Sequence, residues 1–278
     1  MRWGLLAVRL GIIAVNIVIA LIIILAVIPL ATGGLDVDVP SSNESSWTLD
    51  GQVLHLSAPV SVHNGGFYDI EDFSLRMQVV DESGNEIMDD RSIPANLRAG
   101  RTTDVPLQLS LDIRNVSQEA KRKIVFEGAS YNISLSIEAH YIMKLMKLGI
   151  AVEDEMRWDP LINEYRIDQS QIRYEYNGSQ IVMIVPYYIS TSQMVYGYEI
   201  NVTSELRNST SMLGEGSNQV TLNSSLNGKL RELPVVLSQE ASIWLATHSE
   251  ALTMDLRLDF MGANAEESIQ YYWNAPIP

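Results

Sequence analysis

The sequence contains no cysteine, and its 19 basic residues are far outnumbered by 34 acidic ones. Without cysteine, no disulfide can stabilise the fold and no thiolate can act as a nucleophile or a metal ligand. The formal net charge of −15 repels phosphate backbones, which excludes DNA and RNA as partners. The hydrophobic content of 46% argues against global disorder, and 278 residues can form one large domain or two ordinary ones.

Recognisable catalytic and metal-binding motifs are also missing. The four histidines have no helical metal-binding spacing, and the sequence lacks H-E-x-x-H, G-x-S-x-G, P-loop and dinucleotide-binding patterns. The acidic runs at Asp89 and Asp90 and at residues 153–155 lack the spacing of a calcium loop. We therefore expect a protein that is not an enzyme, with no catalytic residues, no cofactor and no metal.

Charged side chains are absent from Leu10 to Leu35, where Ile, Leu, Val and Ala predominate. Because roughly 20 apolar residues are needed for a helix to cross a membrane, we predict a cytoplasmic stub and transmembrane helix over residues 1–32. A cleavable signal peptide is the alternative, although its apolar region normally has only about 7–15 residues. The two arginines before the run place the N-terminus in the cytoplasm and the remaining chain outside the cell membrane.

The glycosylation pattern Asn-X-Ser/Thr occurs seven times, always after the apolar run. The asparagines concerned are Asn43, Asn115, Asn132, Asn177, Asn201, Asn208 and Asn223. This number predicts a glycosylated surface protein. The absence of cysteine is unusual for a secreted eukaryotic protein and compatible with an archaeal one, so we expect an archaeal envelope protein.

Two stretches of the chain repeat each other at a separation of 127 residues. Gly51 and Pro59 in the first stretch correspond to Gly178 and Pro186 in the second. In both stretches every second residue is apolar, which is the period of a strand with one face turned inward. The pattern predicts that the chain is built from two similar copies.

Each copy has a little over one hundred residues. We predict a linker over 33–46, a first domain over 47–162, a linker over 163–171 and a second domain over 172–278. Short alternating stretches such as "PLQLSLDI" and "ALTMDLRLDF" predict antiparallel strands. The fold class expected is mainly β, with one N-terminal transmembrane helix followed by two tandem β-sandwich domains.

Each predicted domain also contains one short helix and ends near a tryptophan. The helices are expected to begin after Ser117 and Ser238, because a serine hydroxyl can cap the first turn. Trp158 and Trp273 occupy similar positions near the ends of the two copies. Their expected role is packing rather than binding.

One face of the first long strand differs between the two copies. In the first copy it carries His55, Ser57, Pro59 and Ser61, and in the second it carries Val182, Ile184, Pro186 and Tyr188. Because both faces of the second strand are apolar, we expect a cover over its outer face. The domain's own helix, the first domain, another subunit and a lipid are the alternatives. The four residues of the second copy are the candidate interaction surface.

Several stretches follow the order of a known domain family. They are "VLHLSAPVSVHN", "FSLRMQVV" and "IPANLRAGRTTDVPLQLSL" in the first copy, and "IVMIVPYYISTS" and "YEINVTSELRNSTSMLGEG" in the second. Each copy resembles the late-embryogenesis-abundant type 2 domain (LEA2), also called the water-stress and hypersensitive-response (WHy) domain. The family's usual Asn-Pro-Asn is replaced by residues 63–65 and 190–192. The resemblance implies a β-sandwich with a helix, often behind one transmembrane helix, and structural, stress-protective or lipid-related roles.

Together these features predict a membrane-anchored, glycosylated, extracellular structural or interaction protein of the cell envelope. Its expected partners are the membrane and a surface-layer or membrane-complex protein, or a second copy of itself. A lipid-binding or hydrophobic-ligand-binding protein is the alternative, and a subunit of a surface filament is a further one. Against the filament, no Lys/Arg-Gly processing site precedes the apolar run.

Overall fold

The computed structural model describes residues 16, 34–38, 46–141, 146–178 and 180–276. Of these described residues, 64% lie in strands and 13% in helices, so the fold is mainly β, as predicted. The chain divides into two compact units. The first holds the described residues up to Leu111 together with Asn132–Glu155, and the second holds Asp112–Tyr131 and the described residues from Met156 onward. Residues 112–131 and 156–162, expected in the first domain, are thus grouped with the second.

The transmembrane helix in the predicted fold class is wrong for the described residues. None of their helices is long and apolar enough to cross a membrane. The longest, Gln239–Thr247, has nine residues, less than half of the roughly 20 that a bilayer requires. The segment on which the anchor was predicted, residues 1–32, lies outside the described residues except for Asn16.

The first unit is built from two antiparallel sheets in a sandwich-like arrangement. Its strands are β1 (Leu35–Asp38), β2 (Ser46–Asp50), β3 (Val53–Asn64), β4 (Ile70–Val80), β5 (Glu86–Arg91), β6 (Ala95–Leu97), β7 (Arg101–Asp112), β8 (Ala129–Tyr141) and β9 (Met146–Trp158). In one sheet β3 pairs with β1, β2 and β7, and the other has the order β5-β4-β8-β9 with β6 also on β4. Alternating apolar residues of β3 and β4, among them Leu54, Val60, Phe73 and Leu75, are buried and form the core.

The second unit contains one eight-stranded sheet. Its strands are β10 (Ile162–Ile167), β11 (Arg173–Asn177), β12 (Gln180–Thr191), β13 (Glu199–Arg207), β14 (Met212–Thr221), β15 (Leu230–Leu237), β16 (Glu250–Phe260) and β17 (Ala263–Trp273). The order is β10-β12-β15-β14-β13-β16-β17, with β11 also on β12. The two ends of this order are joined, because the Ile167 amide donates to Glu267 Oε2 at 2.9 Å and Gln169 Nε2 donates to the Gln270 carbonyl at 2.7 Å. The sheet is therefore barrel-like.

Equivalent prolines mark the same position in the two units. Pro59 lies between the part of β3 that pairs with β2 and the part that pairs with β1. Pro186 lies likewise between the parts of β12 that pair with β11 and β10. A proline has no N–H for a strand ladder, so it fits where one neighbouring strand ends and the next begins. The Pro186 carbonyl accepts a hydrogen bond from the Asp168 amide at 2.9 Å.

Glycines allow the sheet of the second unit to continue from β15 to β14. The "GEG" sequence at Gly214, which reads as a turn, lies instead within β14. A Cβ atom at Gly214 would lie 2.6 Å from the Val236 carbonyl oxygen, and one at Gly216 would overlap the Pro234 carbonyl oxygen. The missing side chains therefore permit the close approach of the two strands.

The two predicted helices are present and begin where expected. Helix α1 (Gln118–Arg122) is capped by the Ser117 hydroxyl and runs into a π-helical turn, Lys123–Glu127. Helix α2 (Gln239–Thr247) is capped in the same way by Ser238. Both belong to the second unit.

Each tryptophan named from the sequence donates its indole N–H to a helical carbonyl. Trp158 Nε1 lies 3.0 Å from the Ile124 oxygen, and Trp273 Nε1 lies 2.7 Å from the Leu245 oxygen. Both indoles are buried. The predicted packing role is therefore confirmed.

Candidate functional site

The four residues of the candidate interaction surface all lie on β12, but they differ in solvent exposure. Val182, Ile184 and Tyr188 are half-buried and alternate with fully buried core residues. Pro186 is buried, because β10 and β11 meet beside it. Three of the four residues are therefore available for contact on the outer face of the sheet.

Strand β15 extends this apolar face in a way that the sequence analysis missed. Residues directly opposite in an antiparallel pair share a face. Val182 is opposite Val236, Ile184 is opposite Pro234 and Tyr188 is opposite Leu230. Val236 is 46% exposed and Leu230 is 36% exposed. We call the six residues the outer patch: Val182, Ile184, Tyr188, Leu230, Pro234 and Val236.

The signal for the β15 residues is present in the sequence as "LRELPVVL". It could not be assigned to this face without knowing which strand lies next to β12. That information depends on the pairing between β12 and β15, which are separated in the chain by β13 and β14.

Charged residues surround the outer patch. Arg173 donates two hydrogen bonds of 2.8 Å to Glu232, and these hold the pKa of the Glu232 carboxyl below its ordinary value. Glu175 is opposite Val182 and Glu215 is opposite Val236, and both carboxylates are exposed. The patch is thus an apolar centre with a mainly acidic rim.

One end of the patch is fixed by aromatic and polar contacts. The guanidinium of Arg166 lies 4.6 Å from the centre of the Tyr188 ring. The Tyr188 hydroxyl donates to Asp168 Oδ2 at 3.5 Å. These contacts hold the ring against the sheet and leave the aliphatic side chains as the accessible part.

Strand β11 forms an open margin beside the patch. Among the described strands it pairs with β12 alone, and all five of its residues are exposed. Such an edge offers backbone N–H and C=O groups to another chain. An apolar face and a free edge therefore lie next to each other in the second unit.

The corresponding face of the first unit is polar. His55 Nδ1 lies 2.9 Å from Ser110 Oγ, and His63 Nδ1 lies 3.1 Å from Thr102 Oγ1. The Ser61 hydroxyl is hydrogen-bonded to Asp104. Its polar groups bond to one another across β3 and β7, so this face needs no cover.

The predicted glycosylation asparagines lie at the surface. Asn115, Asn132, Asn177 and Asn201 are exposed, and Asn208 and Asn223 are half-buried. Asn43 lies outside the described residues. No described acceptor site requires the core to open before a sugar is attached.

Asp89, Asp90 and His248 are engaged in ordinary surface contacts. Asp89 pairs with Arg76, whose Nε donates to it at 2.7 Å, and Asp90 accepts from the Ser110 amide at 3.1 Å. The His248 ring stacks on Trp244 at 3.5 Å. Within the part of the chain that the structure describes, no cluster of three metal-ligating side chains occurs.

A groove of about 690 Å³ lies beside helix α2. Ile243 is 63% exposed, Trp244 is 49% exposed and Met212 is 56% exposed, and all three line the groove. The stretch "ASIWLA" predicts an apolar helix side packed inward. Only part of it is buried, because Ile243 and Trp244 point away from the core.

Comparison with known proteins yields no family for this chain. No family model matches it, and no curated protein matches it. The chain is similar in structure to a red sea bream transglutaminase, with 12% identity, a TM-score of 0.32 and coverage of 85% of this chain and 31% of the other.

Two further solved structures are similar to this chain at comparably low identity and TM-score. The YadV chaperone has 9% identity and a TM-score of 0.25 over 86% of this chain and 100% of the other. A glycosyl hydrolase family 2 member from Bacteroides cellulosilyticus has 12% identity and a TM-score of 0.30 over 81% of this chain and 29% of the other. The chain thus spans under a third of the transglutaminase and of the hydrolase.

Proposed function

We propose that this protein is a glycosylated interaction protein of the cell surface, with the outer patch of the second unit as its binding face. The observation that carries the proposal is the difference between equivalent faces. The face is hydrogen-bonded and polar on β3, but apolar and half-exposed on β12. Seven glycosylation motifs support the extracellular location. The resemblance to LEA2/WHy domains is in line with a structural role.

The partner that fits the patch is a protein with aliphatic side chains at its centre and basic side chains around them. Burying the exposed part of each aliphatic side chain contributes roughly 1 kcal/mol at about 25 cal/mol per Å². The carboxylates of Glu175 and Glu215 favour a basic rim on the partner and disfavour a nucleic acid or an anionic membrane surface.

The absence of cysteine allows a direct test with single-cysteine variants. Val236→Cys places a thiol on the outer patch, and Ser57→Cys places one on the exposed, equivalent face of the first unit. We expect a membrane-impermeant maleimide to label Ser57→Cys on intact cells at the rate seen with the purified protein. Val236→Cys should react at least tenfold more slowly on cells, because the partner covers it.

The two outcomes that contradict the proposal are distinct. Failure of Ser57→Cys to label on intact cells contradicts the extracellular location. Equal labelling of both variants on cells contradicts the covered patch while leaving the location in place.

A ligand-binding function has a separate observation in its favour, the groove beside helix α2. Its exposed Ile243, Trp244 and Met212 side chains could hold an apolar ligand. A lipid that copurifies with the protein at one molecule per chain, and that is lost in the Trp244→Glu variant, would favour ligand binding over the proposed interaction function.

A further inference from the structure

A second pocket, of about 370 Å³, opens between strands β14 and β15. The two strands pair only at Gly214 with Leu237 and at Glu215 with Val236. The strands no longer pair towards the end of β14 at Thr221 and the start of β15 at Leu230. The sheet is therefore open at this end. Apolar walls are provided by Val220 and Leu226.

An arginine faces the interior of the unit at the opening. Arg231 is directly opposite Tyr187 in the ladder between β15 and β12, so the two side chains lie on the same face, roughly 5 Å apart at Cβ. Tyr187 is fully buried in the core. Arg231 is therefore an inward-pointing charge on a sheet whose inner face is mainly apolar, and it lines the pocket.

One polar atom of each residue of this pair has no hydrogen-bond partner among the described residues. Arg231 Nε and the Tyr187 hydroxyl are both buried and without a hydrogen bond. Removal from water lowers the pKa of Arg231 and raises the pKa of Tyr187, and the positive charge of Arg231 opposes the shift at Tyr187. Glu232, a carboxylate that also lines the pocket, accepts two hydrogen bonds from Arg173 and is therefore not the partner of Arg231.

A partly desolvated guanidinium whose buried Nε lacks a hydrogen bond is costly and unusual in a protein with 34 acidic residues. A guanidinium offers parallel N–H groups that match the two oxygens of a carboxylate, and a phenol can donate a further hydrogen bond. The chain's net charge of −15 disfavours a dianion more strongly than a monoanion. A volume of about 370 Å³ suits a small molecule rather than a polymer.

We propose that the pocket at Arg231 binds the carboxylate group of a small organic anion. Arg231 and Tyr187 hold the carboxylate, and Val220 and Leu226 contact the apolar body of the ligand. This site is separate from the outer patch, because Arg231 and Tyr187 lie on the inner face of the sheet. It does not depend on the proposed surface function.

The test is a titration of the purified full chain with sodium benzoate, at constant ionic strength maintained with sodium chloride. Ligand that binds the folded state raises Tm, by about 3 °C at ten times Kd. We expect this shift in the natural protein and in Arg257→Met, which removes an exposed arginine of β16 that does not line the pocket. Arg231→Met should show no shift and, without benzoate, a Tm at least as high as that of the natural protein. Equal benzoate shifts in Arg231→Met and the natural protein would overturn the proposal.

A second measurement covers the case in which Arg231→Met does not fold. The Arg231 Nε–Hε resonance of the natural protein should move on addition of benzoate, and the dissociation constant should rise about tenfold in Arg231→Lys, which keeps the charge but loses the paired donors. An unmoved resonance overturns the site. A larger response to inorganic phosphate than to benzoate at equal concentration overturns the assignment to carboxylates.

Discussion

Replacing Gly216 with alanine is expected to lower the free energy of unfolding by about 3 kcal/mol or more, the upper range for forcing atoms into a filled space. The new Cβ atom would overlap the carbonyl oxygen of Pro234. That oxygen belongs to the backbone of β15, so it cannot move away as a flexible side chain could. Urea denaturation of the purified variant measures the change.

A matched control for this variant is available in the first unit. Gly149 lies in strand β9, where a Cβ atom would meet nothing within 4 Å. Gly149→Ala should therefore leave stability unchanged or raise it slightly. A similar loss in both variants would show that general strand effects, and not the approach of β14 to β15, determine the cost.

Trp273→Ala is expected to cost about 4 kcal/mol, within the range for truncating a large core side chain. Trp273 is 1% exposed, and its ring lies 4.8 Å from that of Tyr174. The substitution also leaves the buried Leu245 carbonyl without its donor at the end of helix α2. Thermal and urea unfolding should both detect the change.

The neighbouring Tyr272 provides the control, because it is on the same strand and is 61% exposed. Tyr272→Ala should change stability by less than about 0.5 kcal/mol. Trp273→Phe retains most of the apolar ring but removes the N–H. A stability close to that of the natural protein in Trp273→Phe would contradict the role given to the hydrogen bond.

Much of the strand structure could be predicted from local alternation. In the stretch "ALTMDLRLDF" every second residue from Leu252 to Phe260 is apolar, and all of these residues are buried in β16. The helix starts at Ser117 and Ser238 were also readable, because a serine cap depends only on the next few residues. Such features depend on neighbours in the chain and are encoded locally.

The arrangement of the strands in sheets could not be predicted from local sequence alternation. The first unit has two sheets and the second has one, because β14 pairs with both β13 and β15. This difference depends on two glycines whose missing side chains matter only once β15 is adjacent. The inward position of Arg231 likewise depends on the register in which β15 pairs with β12. The number of sheets and the inward position of Arg231 therefore depend on long-range strand pairing, which the local alternation of apolar residues does not reveal.

Native mass spectrometry of the full chain, extracted gently from its source cells, is the most direct test of whether the outer patch binds a partner protein. We predict a discrete complex with a second protein, of defined stoichiometry, which is lost in Ile184→Asp and kept in Ser57→Asp. Ile184 and Ser57 occupy equivalent positions on β12 and β3, so the pair separates the outer patch from general surface charge. A glycosylated monomer without partner, or a complex unaffected by Ile184→Asp, would contradict the account.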